Sequence, residues 1–265
     1  MTSLIASIVA TLPIIAFVIY VGLEKKFVSN QKIFWLLYIA GGVLSQLIAI
    51  INSFFLDLFF QGNFNFANVP YLAFFEELFK FTVVYFFIRK SFYKYSLFNS
   101  FFFGVAVALG FATVENIEYV LFFKGQWVYV SIIRILLTVP MHAITGGVIA
   151  MFLYTYLHRG KEIEYNVYGI GIGVLIHTSF NFFALYDSLF SNAIMTLIVG
   201  SGLYIVFYSY KKLLSLVSAI DSREDPLTPE KIKTEFTAKP KTESFSVVSK
   251  KKEKKDFQII SRKKK

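Results

Sequence analysis

The chain has 265 residues, 56% of them apolar and 19% aromatic, and a mean hydropathy of +0.59; one water-soluble core cannot hide that much apolar surface, which excludes an ordinary soluble domain and points to a polytopic membrane protein. The net charge of +10 does not indicate a nucleic-acid binder, because residues 211–265 hold 16 Lys and Arg against 8 Asp and Glu while residues 1–210 hold 11 against 9. There is no cysteine, so disulfides and thiolate metal sites are excluded.

Seven stretches are long and apolar enough to cross a hydrocarbon core of about 30 Å, which takes roughly 20 helical residues; they lie at approximately 3–23, 33–58, 70–88, 97–123, 128–157, 167–186 and 193–210. The prediction is an all-α fold, a transmembrane bundle of about seven helices over residues 1–210, in a multi-pass protein of the cell membrane. The first stretch has no basic residue ahead of it and outruns a signal peptide, so it is expected to remain as a helix. Loops after helices one, three and five hold Lys25, Lys26, Lys32, Arg89, Lys90, Lys94, Arg159 and Lys161, whereas those after helices two, four and six hold only Lys124. Lys and Arg accumulate on the cytoplasmic side, so the N-terminus is expected outside and the C-terminal tail in the cytoplasm.

Residues 211–265 mix charge with Ser, Thr and Pro and show no sustained apolar periodicity, so a disordered Lys-rich tail is expected. Its "KKKEKK" and "RKKK" clusters would be drawn to anionic lipid, although a solvated tail is the better explanation of them. No internal repeat is visible.

Polar groups interrupt the apolar helices. "YLAFFEELFK" sets Glu76, Glu77 and Lys80 in the third stretch. One ionised residue at mid-helix costs about 2.5–3.5 kcal/mol in lipid, and an exposed (i, i+4) partner returns only ~0.2–0.5 kcal/mol. These side chains should therefore face a polar cavity among the helices. The fourth stretch adds Glu115, Asn116 and Glu118, the fifth Arg134 and His142, and the sixth His177 and Asn181, which share a face one turn apart. At 1.5 Å per residue, Glu76, Glu77 and Glu115 fall roughly 8–12 Å below the outer surface. Gly104, Gly110, Gly146, Gly147, Gly169, Gly171 and Gly173 are placed to let helices four to six approach closely. For Glu118, Arg134 and Lys80 a structural role suffices: Arg134 is expected to pair with Glu118, and Lys80 to tune the glutamates. A shared site is expected for Glu76, Glu77, His142 and His177.

That set permits hydrolysis. A glutamate in a poorly solvated pocket can act as a general base on water, and imidazoles or an asparagine amide can stabilise an oxyanion. Alternatively His142, His177 and one of Glu76, Glu77 or Glu115, with Glu76 the first choice, could ligate a divalent metal such as zinc, with a second glutamate as base. The residues leave the two schemes open, together with a proton- or ion-coupled transporter built on the same carboxylates.

"EELFK" (Glu76 to Lys80), "GFATVEN" (Gly110 to Asn116), His142 and "HTSFN" (His177 to Asn181) occur in that order on four successive helices. In this the chain resembles the PrsW family of intramembrane proteases, itself distantly similar to the CAAX prenyl endopeptidase/Abi group. The resemblance covers approximately residues 70–185 and implies a protease domain over 1–210 with its core at 70–186. It implies that Glu76, Glu77, His142 and His177 are catalytic, supported by Lys80, Glu115, Asn116 and Asn181. The implied partners are the lipid bilayer and a membrane-anchored protein substrate, with no nucleic acid. Bacterial PrsW-like proteins are associated with site-1 cleavage of a membrane-anchored anti-sigma factor, which starts a stress response.

Overall fold

The computed structural model describes residues 2–24, 27–28, 30–60, 67–90, 94–123, 125–159, 162–185 and 189–221. All seven predicted helices are present: α1 (Thr2–Leu23), α2 (Gln31–Phe60), α3 (Val69–Ile88), α4 (Leu97–Phe122), α5 (Trp127–His158), α6 (Glu164–Ala184) and α7 (Leu189–Asp221). No strand occurs among the described residues. Among them α2, α4, α5, α6 and α7 are long and apolar enough to cross a membrane. The protein is a multi-pass membrane protein.

Two helices form the centre. Residues Phe103 to Ala112 of α4 and Ile144 to Thr155 of α5 are buried on every side, as expected of helices that are apolar all round. Their backbones touch: a Cβ added at Gly104 would lie 2.0 Å from the carbonyl oxygen of Gly146. Gly110 makes a similar approach to Tyr38 of α2, while Gly171 faces open space and does not serve the helix contact expected of it. Around this pair, α1 and α2 pack against α4, α6 and α7 against α5, and α3 between α2 and α6. The outer helices turn apolar stripes away from the protein, such as Leu36, Ile39, Val43, Leu47, Ile50 and Phe54 of α2.

Local chemistry explains the ends and one irregularity. Ser96 caps α4 by accepting from the Asn99 amide at 3.1 Å, and Pro70 occupies the first turn of α3, where its missing N–H costs nothing. In α5, residues Arg134–Thr138 form a π-turn, with the Val139 amide bonded to the Arg134 carbonyl five residues back. Pro140 follows; it cannot donate to the carbonyl four residues before it and its ring crowds that carbonyl, so the preceding turn widens.

The last helix departs from its predicted boundary. α7 runs to Asp221, past residue 210, because "KKLLSLV" continues the helical apolar spacing and buries Leu213. The remainder of the predicted tail, 222–265, lies outside the described residues, as do Lys25, Lys26, Lys124 and Lys161.

Candidate active site

Four helices meet at one polar cluster, always near the same end of the bundle. On α3 the inward stripe is Leu72, Ala73, Glu76, Glu77, Lys80, Val84 and Ile88, so a helix chosen for its apolar face delivers two carboxylates and an ammonium into the interior. α4 contributes Phe111, Glu115 and Asn116; α5 contributes Arg134, His142 and Thr145; α6 contributes His177. Glu77, Lys80, Asn116, His142 and Thr145 are completely enclosed.

Oε1 of Glu77 is the hub. It accepts from Lys80 Nζ at 2.8 Å, from His177 Nδ1 at 2.6 Å and from Thr145 Oγ1 at 3.2 Å. Lys80 Nζ also lies 2.9 Å from His142 Nδ1, and its ammonium rests over the Phe111 ring at 4.8 Å. The other nitrogen of His142, Nε2, stands 2.9 Å from Glu115 Oε2. Arg134 donates to that same oxygen at 2.7 Å and to Asn116 Oδ1 at 2.5 Å, with its guanidinium 4.0 Å from the centre of the Tyr119 ring. The His142 and His177 rings lie 5.0 Å apart, nearly perpendicular.

Glu76 is held differently. Its Oε2 is buried and has no hydrogen-bond partner, yet it lies 3.6 Å from His177 Nε2. Donor atoms of Glu76, His142 and His177 all fall within 4.8 Å of one another. Two ligands of a tetrahedral zinc at 2.0–2.1 Å are separated by about 3.3 Å, so the 3.6 Å between Glu76 Oε2 and His177 Nε2 is a suitable spacing. His177 also turns its second nitrogen to the Glu77 carboxylate, an arrangement that commonly orients a metal-bound imidazole. Two imidazoles, an otherwise unsatisfied carboxylate and this outer carboxylate fit a divalent cation.

The structure brings together Glu76, Glu77, Lys80, Glu115, Asn116, His142 and His177 of the residues singled out from the sequence. Asn181 is half-buried one turn beyond His177, and among the described residues its side chain makes no hydrogen bond to the cluster. The expected Arg134–Glu118 pair does not form: Arg134 turns inward to Glu115 and Asn116, while Glu118 accepts from Gln46 of α2. Thr145 and Phe111 were not anticipated. Thr145 stands three residues after His142, on the same helical face, which was the available signal.

A buried cluster of carboxylates and imidazoles inside a multi-pass helical bundle fits a membrane-embedded hydrolase. Residues 30–210 match the family model described as PrsW family intramembrane metalloprotease, and the chain belongs to that family; it is an intramembrane peptidase. It is similar to Protease PrsW of Halalkalibacterium halodurans, with 30% identity over 157 residues, covering 57% of this chain and 67% of the relative. No solved structure matches.

Proposed function

We propose that Glu76, His142 and His177 hold a divalent cation and that Glu115 is the general base of peptide-bond hydrolysis. The reading is carried by Glu76 Oε2, a buried carboxylate oxygen without a hydrogen bond beside two imidazoles. An isolated buried charge of this kind is costly unless a cation or proton meets it. The cation would polarise the scissile carbonyl and acidify water.

The protein's own groups divide the remaining work. Glu115 is the most accessible carboxylate of the network, its side chain 16% exposed, and its Oε1 takes no hydrogen bond among the described residues. Oε1 removes a proton from the attacking water and returns it to the departing amine, while the water oxygen bonds to the carbonyl carbon and the C–N bond breaks. Glu77 is a positioning residue, because three donors converge on its Oε1 and fix the His177 ring. Ligation through His142 Nε2 requires the ring proton on Nδ1, which leaves Lys80 to Glu77 and Glu115 Oε2 to Arg134.

The substrate is a single-pass membrane protein, of which an anti-sigma-factor-like regulator is the expected type, cut in the outer half of the bilayer. Supporting this depth, Glu76 lies about 10 Å along α3 from its first residue and Glu115 about 10 Å from the last residue of α4. The proposed orientation has the α4–α5 turn outside and the α3–α4 turn in the cytoplasm. The chain lacks cysteine, so Gly125→Cys and Lys90→Cys report this directly: an impermeant thiol reagent applied to intact cells should label the first and not the second.

The decisive experiment is reconstitution with a single-pass substrate in liposomes. Wild-type protein should cleave, lose activity to a chelator and recover with a divalent cation, and Glu76→Gln and His177→Ala should bind no stoichiometric metal by elemental analysis. Full cleavage by both variants would remove these residues from the reaction.

A further inference from the structure

We infer that Arg134 is a positioning residue for Glu115, and that the π-turn of α5 exists to bring it into register with His142. This rests on the assignment of Glu115 as base.

Arg134 and His142 are eight residues apart on one helix, yet Arg134 Nη2 and His142 Nε2 stand 2.7 and 2.9 Å from the same atom, Glu115 Oε2. In a regular α-helix each residue advances 100°, so positions eight apart diverge by about 80°, whereas positions seven apart diverge by only about 20°. Straight α-helix would swing Arg134 off the site. The widened turn at Arg134–Thr138 absorbs one residue, so the pair behaves as though seven apart. Pro140 enforces the widening by withholding its amide.

The guanidinium is held on three sides. Its Nε is engaged by Asn116 Oδ1 at 2.5 Å, Nη2 by Glu115 at 2.7 Å, and its face by the Tyr119 ring at 4.0 Å. Asn116, Tyr119 and Glu115 all belong to α4, so Arg134 ties the outer ends of α4 and α5 together around one carboxylate. With Oε2 held by Arg134, the carboxyl group is fixed and Oε1, which takes no hydrogen bond among the described residues, is left free to meet water. A lysine would reach one partner as a point charge and lose the fork geometry.

Reconstituted Arg134→Ala protein should show kcat lowered about 10–100-fold, the usual span for an orienting partner, with KM and bound metal unchanged, and Arg134→Lys should fall between it and wild type. Deletion of Leu136, an exposed residue within the π-turn, combined with Pro140→Ala to restore the amide, should let the segment close to regular helix with Arg134 and His142 seven apart, retaining activity within a few-fold. Insertion of one alanine after Leu136 should match Arg134→Ala. Wild-type kcat in Arg134→Ala, or a Leu136 deletion with Pro140→Ala as impaired as that variant, would overturn the inference. Glu115→Gln separates the two levels: if it cleaves normally, the assignment of the base fails; if it is inactive while Arg134→Ala is not, only the positioning role fails.

Discussion

Glu77 and His177, a hundred positions apart, are joined by a 2.6 Å hydrogen bond between Oε1 and Nδ1 in a spot where neither side chain is more than 1% exposed. The bond settles the orientation of the imidazole whose other nitrogen faces Glu76. Glu77→Gln keeps the shape but removes the charge, so metal affinity is expected to fall about 10–100-fold. Titration of the purified apo-protein with zinc, read by calorimetry, checks this.

Glu77 also neutralises Lys80 at 2.8 Å in complete burial. Removing one partner strands the other: Glu77→Leu or Lys80→Met should each destabilise by about 3–5 kcal/mol, whereas the double substitution should recover much of that loss. Thermal unfolding in detergent would follow the cycle. Activity should return in none of the three, which distinguishes folding from chemistry.

Glu118 should be dispensable. It pairs with Gln46 on the exposed side of α4 and not with Arg134. Glu118→Gln is expected to cleave within two-fold of wild type, against near-complete loss in Glu115→Gln, in a single assay of substrate cleavage.

The expected Arg134–Glu118 pair failed for a geometric reason. The π-turn in "RILLTVP" shifts Arg134 by one position from regular helix phase, a change dictated by where the Pro140 ring presses, and turns it inward to Glu115 and Asn116. Glu76, Glu77, His142 and His177 were legible because ionisable groups in apolar runs are costly enough to demand an explanation. Thr145 was invisible on that ground: a threonine in a membrane helix ordinarily bonds its own backbone, and Thr145 does so at the His142 carbonyl as well as reaching Glu77. The bundle was legible from helix length and apolarity. Which helices lie at its centre depends on facing pairs such as Gly104 and Gly146, which no spacing within one helix reveals.

That facing pair gives a further test. Gly104→Val would drive a side chain into the Gly146 carbonyl, where the first added carbon already stands 2.0 Å from the oxygen. The helices must separate, at a cost of about 1–3 kcal/mol or more, and His142 moves with α5. Cleavage should be lost, while Gly171→Val, directed into open space, should behave as wild type.

Lys80 and Glu77 sit within one turn of a single helix. α3 therefore carries a counter-ion for Glu77 when the ribosome hands it to the insertion machinery, before the histidine-bearing segments have been translated. The centre becomes complete only when the sixth segment arrives with the last imidazole, His177.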